Sequence, residues 1–296
     1  MTKRILLATD LSANSAFAAK WASNYAKLSG AQVVLAHIIE VSIPNWLRDA
    51  YTALEDDDQR QKLETRIHEW YHTHTGERAA EVKLAGGSID SQLNTMVEGD
   101  DISLLVLARS GKSGLSKLLA GSTAQMMVAN PPCPVVVVHP DHTGLDNASK
   151  IAVATDLTES AEKAISEAAL MSTLVGGHLD IIHAAKFSAS DIEDENVPEN
   201  LRKESLQQAT DEQMHKIIGT HSAELTDVNY TSHIIHAGPV DAVTQFAEDK
   251  NIDMVFVGNA AHYNMVTNVF GRVSVKLTQM LPCTVLVVPP DVAAAE

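Results

Sequence analysis

The chain has 296 residues, 45% of them hydrophobic, and a formal net charge of −16. That length suits one large domain or two of ordinary size, and either half can bury a sizeable core. The acidic balance argues against a nucleic-acid or anionic-membrane surface, while leaving room for a local anion site built from backbone amides.

In chain order, Met1-Thr2-Lys3-Arg4 runs straight into the strand-like Ile5-Leu6-Leu7-Ala8-Thr9, which ends in Asp10-Leu11-Ser12. No longer apolar region precedes it, and no apolar run approaches the ~20 residues of a membrane span, so the expected setting is the cytoplasm. Strands are predicted near 4–9, 32–39, 81–86, 102–108 and 134–139, with helical patterns near 13–29, 57–76, 89–99 and 121–130. Two polar segments, Ser42 to Asp58 and Ser188 to Arg202, follow the second strand of each half and read as surface loops.

The most informative stretch is Ile102 to Val138. The apolar run Leu104 to Ala108 is followed by a loop with Gly111 and Gly114. Gly121-Ser122-Thr123 then opens a helical segment, and Val135 to Val138 reads as another strand. Glycines let backbone N–H groups approach an anion closely, and a helix N-terminus adds partial positive charge. Ser122 or Thr123 could cap that helix or donate to a phosphate oxygen. The stretch matches neither GxGxxG nor Walker A. Gly111-Lys112-Ser113 has the ending of the latter, but its first glycine would fall on Val106.

Past Val138 the sequence starts again. Ile151-Ala152-Val153-Ala154-Thr155-Asp156-Leu157-Thr158 restates Ile5 to Ser12 at a shift of 146. His37 pairs with His183, Gly87 with Gly238, Gly121 with Gly271 and Pro132-Cys133 with Pro282-Cys283, all in order. Such a long period is a duplication of whole domains, not a solenoid. It predicts domains at 1–143 and 149–296, joined through the polar segment 139–149, with second-half strands near 150–155, 179–184, 229–236, 253–258 and 284–289.

Short apolar strands alternating with helices mean an α/β fold with a parallel sheet covered on both faces. Winding out one way and returning to the other side gives the order 3-2-1-4-5. The crevice then lies outside the carboxyl ends of strands 1 and 4. Thr9 and Asp10 end the first, and the glycine loop begins at the end of the fourth.

On these residues each half resembles a universal stress protein domain, and the whole chain resembles the tandem form of that family. The resemblance implies two Rossmann-like domains of the adenine nucleotide alpha hydrolase type, each with a five-stranded parallel sheet. ATP-binding members carry Gly-x2-Gly-x9-Gly-Ser/Thr after strand 4, and the first half offers Ala108-x2-Gly111-x9-Gly121-Ser122. The resemblance places Asp10 and the backbone from Ile39 to Val41 against adenosine, and Gly111, Gly121, Ser122 and Thr123 around phosphates. It implies ATP as ligand, with ADP or AMP as alternatives and Mg2+ as a companion. Alanine at 108 adds a methyl group that weakens binding. The second half reads Gly258-x2-Ala261-x9-Gly271-Arg272, so its site is expected to be degenerate. The family's habit of pairing domains through their last strands implies an internal pseudo-dimer, with further self-association left open.

No general base stands out, so any ATP hydrolysis should be slow. The alternative reading is a nucleotide-independent protein-interaction module. His68-Glu69-Trp70-Tyr71-His72 matches HExxH, with His74 beside it, but it falls on a crossover helix with no third ligand at zincin spacing. His37 and His183 read as hydrogen-bonded structural histidines, and Cys133 and Cys283 as buried inert thiols.

Overall fold

The computed structural model describes residues 3–39, 56–109, 121–141, 144–145, 150–185, 199–259 and 272–290. The first half contains β1 (Arg4–Ala8), α1 (Ala13–Ser29), β2 (Gln32–Ile39), α2 (Asp57–Thr75), β3 (Glu81–Gly86), α3 (Ile89–Gly99), β4 (Ile102–Ala108), α4 (Ser122–Ala129) and β5 (Val135–Val138). The second contains β6 (Lys150–Thr155), α5 (Glu159–Val175), β7 (His178–Ala184), α6 (Glu199–Thr220), α7 (Ser222–Leu225), β8 (Asn229–Ile235), α8 (Pro239–Lys250), β9 (Met254–Gly258), α9 (Arg272–Met280) and β10 (Thr284–Val288).

The strands form one sheet in the order β3-β2-β1-β4-β5-β10-β9-β6-β7-β8. Its two halves mirror each other about the β5–β10 seam. All pairings are parallel except that seam, where Val137, Val136 and Val135 face Val285, Leu286 and Val287 in antiparallel register. Central strands carry no polar face because both faces are covered. Ile5 and Leu7 of β1 point into one core layer and Leu6 into the other, and all three are fully buried. The first layer packs on α1, α2, α5, α6 and α7, through side chains such as Trp21, Tyr71 and Ile165. The second packs on α3, α4, α8 and α9, through Leu93, Met127, Phe246 and Leu277.

Local chemistry sets the helix ends. Ser12 caps α1 by accepting from the Ser15 N–H, and Gly30 closes the helix at φ 72°. Gly176 closes α5 in the same left-handed conformation, 146 residues on. The acidic run before α2 corrects the loop assignment at its end. Asp56 caps the helix, accepting from the Asp58 and Gln59 N–H groups, and Asp57 and Asp58 complement its positive end. Likewise α6 already begins at Glu199, inside the segment expected to be loop.

Among the described residues, no helix is long and apolar enough to cross a membrane. Burial raises both cysteine thiols to about 12, so neither forms a thiolate at neutral pH.

Candidate functional site

Both halves build the same turn where their first strand ends. In the first, the Leu11 N–H donates to Thr9 Oγ1 at 3.0 Å and the Ser12 N–H to Asp10 Oδ1 at 3.0 Å. In the second, the Leu157 N–H donates to Thr155 Oγ1 at 3.0 Å and the Thr158 N–H to Asp156 Oδ1 at 3.1 Å. These bonds hold Leu11 at φ 60° and Leu157 at φ 62°, a left-handed conformation that is costly for a branched aliphatic side chain. Strain of this kind at the end of a central strand marks a rim shaped for more than packing.

The neighbouring histidine braces each turn. His37 Nδ1 lies 2.8 Å from the Thr9 carbonyl, and His183 Nδ1 lies 2.9 Å from the Thr155 carbonyl. A carbonyl only accepts, so in both rings Nδ1 carries the proton. Both histidines are thus structural braces, as their positions on β2 and β7 suggested.

The first half differs from the second around its aspartate. The Ser15 hydroxyl donates to Asp10 Oδ1 and also lies 3.2 Å from Ser12 Oγ. Partial burial works to raise the Asp10 pKa, but the hydrogen bonds from Ser12 and Ser15 together outweigh it and hold the carboxyl below its ordinary value. Asp10 therefore presents a fixed, ionised carboxylate at neutral pH.

That carboxylate faces a cavity of about 570 Å3. Ala8, Thr9 and Asp10 line it from the end of β1, Leu107 and Ala108 from the end of β4, and Ala36 and Ile38 from β2. Gly121, Ser122, Thr123 and Gln125 line it from the start of α4. The cavity thus lies outside the carboxyl ends of β1 and β4, which are paired neighbours. The first N–H groups of an α-helix have no intrahelical acceptor, so the α4 N-terminus turns unpaired donors and partial positive charge toward this space.

Of the residues singled out in the sequence, Thr9, Asp10, Ala108, Gly121, Ser122 and Thr123 come together around this one cavity. Ile39 ends β2, where its carbonyl accepts from the Gly87 N–H at 3.1 Å. Ile38 and Ala36, two apart on the alternate face, line the cavity. Val41, Gly111 and Gly114 lie outside the described residues, as do Ala261 and Gly271 of the second half. Ser12, Asn14, Ser15 and Gln125 also line the site and were not picked out. The spacing Asp10-x-Ser12-x-x-Ser15 was the available signal, since a hydroxyl three residues past an N-cap serine can reach back to the turn.

The HExxH stretch lies on α2, away from this cavity. His72 Nδ1 sits 3.3 Å from the Glu77 carbonyl, and His74 packs edge-on against Trp70. Among the described residues, no group of three histidine, cysteine or acidic side chains is arranged to hold a metal ion.

Comparison with known proteins agrees with this architecture. The profile of the universal stress protein family matches twice, over residues 1–139 and 147–289. A universal stress protein of Mycolicibacterium smegmatis is 24% identical over 296 residues, covering 97% of both chains. One from Methanocaldococcus jannaschii is 30% identical over 145 residues, covering 46% of this chain and 81% of its own. The crystal structure of a universal stress protein from Archaeoglobus fulgidus superimposes with a TM-score of 0.72 at 20% identity, over 97% of this chain and 98% of that one. The chain therefore belongs to the universal stress protein family, in the tandem form that carries two family domains in one polypeptide.

Proposed function

We propose that this protein is a cytoplasmic stress-response regulator that binds ATP, or the related ADP or AMP, in the cavity of its first half. One observation carries the reading. The Asp10 carboxylate, the end of β4 at Ala108 and the α4 N-terminus at Gly121, Ser122 and Thr123 share one cavity at the crossover of the sheet. Its volume, about 570 Å3, falls within the range usual for small-molecule sites. In this reading Asp10 accepts hydrogen bonds from the ligand's nucleoside part, against the apolar wall of Ala36 and Ile38. The α4 N–H groups and the hydroxyls of Ser122 and Thr123 donate to phosphate oxygens. The partial match of the first half to the family's ATP motif supports the same assignment. No described group is placed as a strong general base toward the phosphate end, so hydrolysis is slow at most.

Thermal unfolding with ATP and Mg2+ tests this. Saturating ATP should raise Tm by about 5 °C or more, the scale set by a ligand held at a hundred times its Kd. Gly121→Asp places a carboxylate at the phosphate end and should abolish the shift while leaving the unliganded Tm within a few degrees. An equal shift in both proteins would refute the assignment. The lack of any shift, with no nucleotide released from the purified protein, would favour the interaction-module reading.

A further inference from the structure

Arg109 and Asn259 occupy equivalent places, each following the fourth strand of its half. The Arg109 N–H donates to the Val138 carbonyl of β5 at 3.0 Å, and the Asn259 N–H to the Val288 carbonyl of β10 at 2.8 Å. Their side chains then cross the seam in opposite directions. The Arg109 guanidinium, pulled into the protein, donates to the carbonyls of Gln279 and Leu281 at the C-terminal end of α9. Asn259, only 6% exposed, directs Nδ2 at the Ala129 carbonyl, 3.4 Å away, at the last residue of α4. Ser274 of α9 lies 3.5 Å from Asn259 Oδ1 and orients the amide.

Each half thus caps the last helix of the other. Helix C-terminal carbonyls lack intrahelical donors and carry partial negative charge, so both contacts satisfy groups that the helices leave open. Burial lowers the Arg109 pKa, and the two carbonyls hold the desolvated cation in place. The consequence lies at the other end of α4. That helix spans eight residues, about 12 Å at 1.5 Å per residue, and its first turn lines the cavity. Moving the end held by Asn259 moves Ser122 and Thr123.

We infer that Asn259 of the second half is a positioning residue for the ligand site of the first, setting α4 through its C-terminus, with Arg109 as the reciprocal clasp on α9. The inference about ligand rests on the ATP reading above; the clasp itself does not. It assigns the second half a role in the first half's site without requiring it to bind anything.

Asn259→Asp keeps the shape but removes the donor to Ala129. Hydrogen exchange without ligand should show the α4 amides of Met127 to Asn130 opening about fivefold faster, with α3 unchanged. Calorimetric titration should show ATP affinity falling about fivefold and adenosine affinity unchanged, because the phosphates meet α4. Restoring a donor with Asn259→Gln should recover part of both effects. Unchanged α4 exchange in folded Asn259→Asp would overturn the clasp. An equal loss for ATP and adenosine would overturn the positioning role, because a merely structural defect weakens both. If the parent protein binds neither compound, the nucleotide reading fails, and with it the positioning role; exchange still decides the clasp.

Discussion

Ser15 donates its hydroxyl to the Asp10 carboxylate from within α1; alanine stands at the equivalent position in the second half, Ala161, and there Asp156 accepts from the Thr158 hydroxyl at 2.5 Å. The two turns share their backbone-to-side-chain bonds, but a serine on α1 holds the first carboxylate, whereas the threonine of the turn itself holds the second and leaves its helix without a side-chain cap.

Ser15→Ala should raise the Asp10 pKa toward the ordinary aspartate value, read as an upward shift of its carboxyl titration by NMR. The folded-state pKa is depressed, so the stability this arrangement contributes is present above the unfolded carboxyl's pKa and lost as pH falls through the lower folded value. Denaturant melts should accordingly show Ser15→Ala weaker than the parent at pH 7 and nearly equal to it well below pH ~3. A constant deficit at all pH values would mean that the serine only packs. The cap of α1 survives this change, since Ser12 accepts from the backbone N–H of residue 15.

The two turn threonines give a matched pair. Thr9 and Thr155 are 7% and 5% exposed and each accepts from the N–H two residues on. Thr9→Val and Thr155→Val keep the shape and leave that donor unpaired at a strained residue, so each should cost about 1–2 kcal/mol in urea unfolding. Only Thr9→Val should also weaken ATP binding, because only Thr9 borders the described cavity. Equal effects of both on ATP binding would point to a second working site.

The HExxH match predicts nothing about zinc. Protein purified without chelating resin should carry substoichiometric zinc by elemental analysis, at a level that His72→Ala leaves unchanged. Tightly held zinc near one equivalent per chain, lost in that variant, would reopen the hydrolase reading.

Much of the architecture could be read from local pattern. Runs such as Ile5-Leu6-Leu7-Ala8 and Val135-Val136-Val137-Val138 have no polar face, which is what strands covered on both sides require. The repeat supplied two valine-rich last strands, and the family resemblance, rather than the pattern itself, implied that they meet, as they do at the β5–β10 seam. The helical pattern near 57–76 matches α2, but its cap was not legible, because Asp56 to Asp58 fall at the end of a polar segment that reads as loop, whereas they cap and complement the helix. The Ser15–Asp10 contact is not legible in the sequence, because hydroxyl-rich turns are common and only the folded turn decides which oxygen faces which. Arg109 and Asn259 lay further out of reach. Their partners, Leu281 and Ala129, are 172 and 130 residues away, and no periodicity encodes a contact between halves.

The central claim is that the first half holds the working nucleotide site. Calorimetric titration of the intact chain with ATP and Mg2+ tests it most directly, because it returns a stoichiometry as well as an affinity. The account predicts one ATP per chain, absent in Gly121→Asp. Two ATP molecules per chain, or one that persists in Gly121→Asp, would contradict it.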